Sequence, residues 1–490
     1  MVINLIHCPL RYEIEKLSMA FFPEEKFQIH EEEPYVDTDA NGVITVCRME
    51  ESESQKIQIQ VERNGITVQQ EEEGPLTEST EILAGRVLYR ALSELTGITP
   101  PWGILTGVRP SKLMTAYMAR SGAEAAKEHF QNDLLVSPEK SDLVCQVSEA
   151  EERILATSAP NSYSLYVSIP FCPNRCSYCS FVSHSISSPG AKKLLPVYVD
   201  LLLKELQQTA EVVRNSNLHL ESVYIGGGTP STLSAEQIAA LLGTIQSEFD
   251  LSQAREFTFE AGRPDTMNLA KWEAIRQGGV TRVSINPQTM TDSILQSIGR
   301  DHTVKDIESC FRDARSLGFQ DINMDLIAGL EGDTPENFER SLAAVLALNP
   351  ESVTVHTLAY KRSSNLVPTE ELFSRGKDTA KMLHIAEKQL RSTGYLPYYL
   401  YRQTRSVGNL ENVGWCKPGH ECYYNIYMME ECHSILSCGA GAVTKLKVPD
   451  TNAISRLFHF KYPYEYNTRF EKLQEQKAEL SRFLLQYHQK

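Results

Sequence analysis

The sequence predicts an α/β protein built on an incomplete (β/α)6 barrel of the TIM-like kind, with an N-terminal α+β domain and a C-terminal extension. Three observations predict it. Six short apolar runs follow one another between residues 165 and 358: "LYVSIPF", "SVYIGGG", "EFTFEAG", "RVSINPQ", "DINMDLIAG" and "SVTVHTL". Longer amphipathic stretches separate most of them, such as "PVYVDLLLKELQQTAEVVR", "SAEQIAALLGTIQSEF" and "PENFERSLAAVLAL". Almost every polar oddity of the region falls towards the end of one of the runs. Strands that alternate with helices are joined by crossovers and are therefore parallel. A doubly wound sheet is the competing arrangement, and in both architectures chemistry belongs at the C-terminal ends of the strands.

Each part of the 490-residue chain supports this reading in turn. The length suits two or three domains, and the pattern divides at 1–155, 160–370 and 371–490. In the first part, "ANG" and "RNG" interrupt alternating segments, which predicts hairpins of a small antiparallel sheet. The run "TEILAGRVLYRALSELTG" reads as a helix closed by a glycine. A Pro/Gly-rich turn, "PPWGILTGVRP", leads into another helix. The acidic runs Glu31–Glu33 and Glu71–Glu73 read as solvated faces. After the βα repeat come the helix "TAKMLHIAEKQLRSTG", the aromatic strand "YLPYYLYRQ" and the glycine-rich loop "SCGAGAV".

Bulk properties exclude several classes. A formal net charge of −15 argues against binding nucleic acid by phosphate neutralisation. The first residues, "MVINLIHCPLRYEIEK", lack the pattern of a signal peptide, and "SLAAVLAL" is too short to span a bilayer. A cytoplasmic protein without a membrane span is expected. The 11 cysteines are scattered and odd in number, so they are no disulfide framework.

The exception is "SIPFCPNRCSYCSF", which gathers Cys172, Cys176 and Cys179 on a loop directly after a strand. Soft thiolates suit zinc or an iron–sulfur cluster. A closed zinc site needs four ligands. A [4Fe–4S] cluster held by three cysteines keeps one iron open to an exogenous ligand. Three buried thiols, or zinc with a distant fourth ligand, are the alternatives that spacing alone leaves. Further along, Gly226, Gly227 and Gly228 end the second run, where a backbone can approach a ligand closely. Glu260, Gln288 and Asp325 lie towards the ends of the third, fourth and fifth runs, and Arg300 follows in "GRDHT". A charged Asp325 in an apolar run is costly unless paired.

These motifs in this order resemble the radical S-adenosylmethionine (SAM) superfamily. Within it, "YVSIPFCPNRCSYCSF", "YIGGGTPSTL", "RVSINPQTM" and "DINMDLIAGLEGDT" resemble the oxygen-independent coproporphyrinogen III oxidase family, and most closely its HemZ branch. The likeness spans roughly residues 160 to 447. It implies that Cys172, Cys176 and Cys179 ligate a [4Fe–4S] cluster and that SAM is the second cofactor. It also implies that Tyr166, Gly227, Gly228, Thr229 and Glu260 contact SAM. Gln288, Arg300 and Asp325 would line its nucleoside side, Val443 would form an apolar wall, and Tyr178 takes the place of a family aromatic. Some of these positions hold a second SAM in the family.

The implied reaction is oxidative decarboxylation of two propionates of coproporphyrinogen III to vinyl groups by a 5′-deoxyadenosyl radical, in heme biosynthesis. The implied partners are a tetrapyrrole substrate and a low-potential electron donor such as flavodoxin or ferredoxin. Arg263, Lys361, Arg362 and Arg402 are the candidates for holding propionates. Two departures bear on this. Phe181 stands where the oxidases proper carry a further cysteine, and the "HNxxYW" element of the heme-chaperone relatives is absent. A heme-binding or heme-delivery protein, and a radical enzyme for another tetrapyrrole, are the other readings. Cys416, Cys422, Cys432 and Cys438 read as buried thiols rather than as an auxiliary cluster.

Overall fold

A computed structural model of the chain describes residues 1–32, 34–35, 40–181, 183–361, 364 and 375–489. The chain forms two compact units. The first comprises 1–149, 368–380 and 400–411, and the second 150–367, 381–399 and 412–490.

In the first unit, β1 (Val2–Ile6) lies between β2 (Gln28–Glu31) and β3 (Val43–Glu50), parallel to both. Strands β3, β4 (Ser54–Arg63) and β5 (Ile66–Pro75) then form an antiparallel meander. The "RNG" hairpin is present, with Asn64 and Gly65 at φ 52° and 75°, the positive pair a tight two-residue turn requires. The "ANG" hairpin is not. The strands on its two sides are parted by β1, so the sheet is mixed rather than antiparallel. The physical reason is burial: "VINLI" is apolar almost throughout and buried at four of its five positions, whereas β2 stays half-wet. The helices Arg11–Phe21 and Thr80–Thr96 pack on this sheet through Leu17, Leu88 and Leu92. Gly97 closes the second of them at φ 66°.

The second unit carries the βα repeat. Strands β6 (Ser162–Ile169), β9 (His219–Gly227), β10 (Glu256–Gly262), β11 (Arg282–Gln288), β12 (Asp321–Ala328) and β13 (Ser352–Thr357) pair in that order, all parallel. The intervening β7 (Phe171–Cys172) and β8 (His184–Ser185) form a two-residue ladder within the cysteine loop. Helices such as Pro189–Arg214, Ala235–Glu248 and Pro335–Leu348 make the crossovers.

Additions on both edges extend this sheet to 11 strands among the described residues. Residues Ser434–Cys438 form a strand parallel to β6 on its free edge, and Glu411–Cys416 runs antiparallel to β13 on the other. The first of these leads, through the loop 439–442, into the strand Val443–Lys447. Neither addition is evident from the sequence, because "SILSC" and "ENVGWC" lie outside the βα alternation.

The C-terminal helix Leu473–Tyr487 is fastened by a buried polar cluster. Glu205, fully buried, accepts hydrogen bonds from Lys477 Nζ at 2.9 Å, His459 Nε2 at 2.7 Å, Tyr466 Oη at 2.7 Å and the backbone N–H of Gly439 at 2.8 Å. Burial works against its charge, but Lys477, His459 and Tyr466 outweigh it and hold the carboxyl well below the usual range. Among the described residues, no helix is long and apolar enough to cross a membrane.

Candidate functional site

Each of the six parallel strands is buried along most of its length and has a half-exposed polar side chain towards its C-terminal half. These are Tyr166, Tyr224, Glu260, Asn286, Asp325 and His356. Tyr166 pairs directly with Tyr224, and the register climbs at three of the other junctions. Tyr224 pairs with Thr258, two residues short of Glu260, which pairs with Ser284, two short of Asn286. Asp325 pairs with Thr354, two short of His356. A stagger of this kind accompanies curvature into a barrel, so the six side chains form a polar ring inside the mouth.

Tyr166, Tyr224 and Tyr424 stack there, with Tyr224 and Tyr424 centroids 4.5 Å apart at 23°. Sequence reasoning missed Tyr224, Asn286, His356 and Tyr424. No signal in the sequence marks them, because the runs that carry Asn286 and His356 hold other polar residues and Tyr424 lies outside the runs.

The cysteine loop leaves the tip of β6 beside this ring. Cys172 and Cys176 are buried and Cys179 is half-buried. The glycine run of β9 packs against the root of the loop. Gly228 N–H donates to Ile169 O at 2.8 Å, and Thr229 N–H donates to Phe171 O at 2.7 Å. A Cβ on Gly228 would lie 2.6 Å from Phe171 O, which excludes any side chain. Gly227 takes φ 112°. One consequence is that Thr229 Oγ1 donates to Cys172 Sγ at 3.4 Å.

Two cations approach the loop from other strands. Arg263, just past β10, lies with Nη1 4.0 Å from Cys176 Sγ and is bound bidentately by Asp265 at 2.9 and 3.1 Å. Arg300, buried, donates to Asn286 O at 2.5 Å and to Tyr178 Oη at 3.1 Å, and its charge also bears on Cys176. Burial pushes the Cys179 thiol up to about 11 and raises Cys172 as well, so without metal these groups are protonated. Among the described residues no three His, Cys, Asp or Glu side chains are gathered to hold a single metal ion.

Glu260 accepts a hydrogen bond from Tyr224 Oη at 2.6 Å. Burial, with Asp325 adding to it, pushes its carboxyl up to about 7. Asp325 goes the other way. Burial opposes its charge, but the neighbouring His356 (3.7 Å) and Asn323 (2.7 Å) outweigh burial and lower its pKa. The ring thus holds one carboxyl that titrates near neutrality and one that stays ionised.

Glu260's raised pKa makes the ligand-free protein lose stability as pH rises from about 4.5 to about 7, because the folded state binds the extra proton in that window. Glu260→Gln is therefore expected to unfold at higher urea than the parent at pH 8. The margin is at most about 3 kcal/mol, and it should vanish near pH 4.5. An equal margin at both pH values would show that Glu260 does not titrate this way.

Gln288 ends β11 at φ 68° beside a bulge, buried, with Oε1 lacking a partner among the described residues. A buried orphan acceptor in a strained backbone is suited to meeting a ligand. Val443 opens its strand just after the loop 439–442. That loop is pinned to the tip of β6: Ser168 Oγ donates to Ala440 O at 2.8 Å, and Ala440 N–H donates to Tyr198 Oη at 2.9 Å.

The candidate propionate binders fare differently. Arg263 is already paired with Asp265. Arg402 belongs to the first unit, where it bonds backbone carbonyls. Arg362 lies outside the described residues. Lys361 follows β13 and interacts with Cys179, and burial lowers its pKa. Of the distal cysteines, Cys416, Cys422 and Cys438 are buried; Cys422 donates to Glu256 and Cys438 lies against Thr209, which leaves them as core thiols.

The site, taken together, offers three thiols on one loop, a hydroxyl and two guanidinium groups around them, and a polar ring with an unpaired acceptor. This donor set fits a cluster that carries net negative charge, with a polar organic ligand beside it. Comparisons with known proteins agree. A family model described as the Radical SAM superfamily matches residues 166–345. The oxygen-independent coproporphyrinogen-III oxidase-like protein HemZ of Bacillus subtilis (strain 168) is 37% identical over 402 residues, covering 80% of this chain and 79% of that protein. The heme chaperone HemW of the same organism is 31% identical over 281 residues, covering 57% of this chain and 70% of the relative. Among solved structures, coproporphyrinogen III oxidase HemN from Escherichia coli matches with a TM-score of 0.50 at 22% identity, over 67% of this chain and 73% of that one. That last likeness bears on the fold alone.

Proposed function

The chain belongs to the radical SAM superfamily, among the oxygen-independent coproporphyrinogen-III oxidase-like proteins, and from that premise we propose that it oxidatively decarboxylates the propionates of coproporphyrinogen III. The superfamily uses a [4Fe–4S] cluster and SAM. When bound, this pair supplies a one-electron cleavage that yields a radical able to take a hydrogen atom from carbon. The observation that carries the reading is the cysteine loop at the barrel mouth, with Thr229 and two guanidinium groups directed at its sulfurs.

In this reading Cys172, Cys176 and Cys179 hold the cluster. Thr229 and the positive charge of Arg263 and Arg300 favour the thiolate form that metal binding requires. Gly227, Gly228 and Gln288 present backbone and amide groups to SAM. Asp325, kept ionised by His356 and Asn323, accepts from sugar hydroxyls. Glu260 and Tyr166 complete that wall, with Tyr178 fixing Arg300 and Val443 closing the apolar side. The stacked tyrosines offer a flat surface to a tetrapyrrole. Lys361 is the cation at the mouth placed to meet a propionate carboxylate.

The test is anaerobic incubation of reconstituted protein with a chemical reductant, SAM and coproporphyrinogen III. Formation of vinyl product with 5′-deoxyadenosine is expected. One observation favours a second reading, heme handling: the position of the further cysteine of the oxidases is Phe181, which is 64% exposed beside the cluster loop. Tight heme binding with no vinyl product would select that reading and reject the first.

A further inference from the structure

The first unit contains a cavity of about 550 Å³ whose lining residues all belong to that unit. Helix Arg11–Phe21, the turn after Thr96, the start of helix Gly376–Ser392 and the loop 402–410 enclose it. Among the described residues its lining includes four cations, Lys16, Lys377, Arg402 and Arg405, and no Asp or Glu. Elsewhere in the unit cations find carboxylates, as in Arg11–Glu31, Arg63–Glu25 and Arg86–Glu78. Around the cavity they do not: among the described residues none of the four lies within ion-pair distance of an acid, and Lys16 Nζ sits instead 3.8 Å from the Met19 sulfur. Gathering four unpaired cations is unfavourable in itself, and an anion bound among them recovers that energy.

Arg402 makes the case sharper. It is 3% exposed. Its guanidinium donates to Leu105 O at 2.5 Å and Asn409 O at 3.2 Å, while its Nε has no partner. The acid nearest to it in sequence, Glu411, is engaged by Lys140 at 2.5 Å and by Trp102 Nε1 at 2.7 Å. Burial lowers the pKa of Arg402 to about 10, and the charge of Glu411 offsets this only in part.

The start of a 17-residue helix, which carries Asp378 in its first turn beside Lys377, adds backbone N–H groups to this end. Gly376 there packs so closely on Gly408 that a Cβ on Gly408 would lie 3.2 Å from Gly376 Cα. The first N–H groups of a helix have no partner within it and favour phosphate. Part of the remaining wall is apolar, with Met19, Phe21, Ile98, Pro101 and Val108, while Thr99, Thr106, Gln403 and Ser406 line the rest with polar groups.

We propose that this cavity binds a phosphorylated organic anion with an apolar body, about the size of a nucleoside diphosphate. The volume lies within the range of small-molecule sites, about 300–1,000 Å³. Such a ligand places its phosphates against Arg402, Lys377 and the helix start, and its body on the Phe21–Ile98 side.

The test is calorimetric titration of the reconstituted full-length protein, with SAM in excess, using ADP, inorganic pyrophosphate and benzene-1,2,4,5-tetracarboxylate. The variant is Lys377→Glu/Arg405→Glu, two exposed positions outside the cysteine site. ADP is expected to bind saturably, more tightly than pyrophosphate, and at least about 10-fold more weakly in the double variant, which keeps its rate of 5′-deoxyadenosine formation. The proposal is overturned if ADP and pyrophosphate both fail to saturate, if the double variant binds ADP unchanged, or if the tetracarboxylate is preferred. Pyrophosphate binding as tightly as ADP would overturn the assignment of an apolar body.

Discussion

Cys176→Ala is expected to lower 5′-deoxyadenosine formation by at least about 1,000-fold, or about 4 kcal/mol of barrier, and to leave reconstituted protein short of iron. Cys176 is the sulfur on which the site's charges converge, with Arg263 at 4.0 Å and the Arg300 charge beside it. On the proposed reading its loss removes a cluster ligand, and it leaves two buried cations facing an empty space. The small side chain and the loop setting mean that the fold itself should change little, so far-UV circular dichroism is expected to be preserved. Iron content, visible absorbance and turnover, measured anaerobically, check this together. A variant that keeps its iron and its turnover would place the cluster elsewhere.

The largest effect on stability is expected from Glu205→Ala, at about 3–5 kcal/mol, because it leaves Lys477 buried and uncompensated. The loss should appear as a lower urea midpoint at pH 7.5. Replacing the pair together, Glu205→Leu/Lys477→Met, is expected to recover part of it, since the buried ammonium is gone while His459, Tyr466 and Gly439 N–H still lose their acceptor. Equal losses for the single and double variants would show that packing, and not the charge, dominates. The parent protein should also lose this contribution on acidification: the folded carboxyl sits below the unfolded value, so its stabilisation is complete above about pH 5 and fades as pH falls. Because Glu205 also holds Gly439 N–H, the loop leading to Val443 should loosen with it.

Much of the site was legible in the residues. Three cysteines within eight positions announce their chemistry through ligand type, which needs no knowledge of contacts. The three glycines were legible as a close approach, and the structure shows the approach to be partly to the chain itself, at Phe171 O and Ile169 O. Tyr224 and His356 were not legible, because a tyrosine or histidine in an apolar run looks like any core residue. Only the two-residue climb in register brings them to one mouth. Arg263 illustrates the reverse: its place after a strand suggested a substrate contact, and Asp265, two residues on, already occupies it.

By itself the sequence determined the βα alternation, the parallel order of six strands and the gathering of three thiols on one loop, because hydrophobic period and side-chain chemistry are local properties. Tertiary structure alone decided that "VINLI" is a central strand, that "SILSC" extends the sheet beyond β6, and that one carboxyl of the ring titrates near 7 while its neighbour stays ionised. Those outcomes depend on which groups are buried together, and burial and charge pairing are set by contacts between residues distant in the chain.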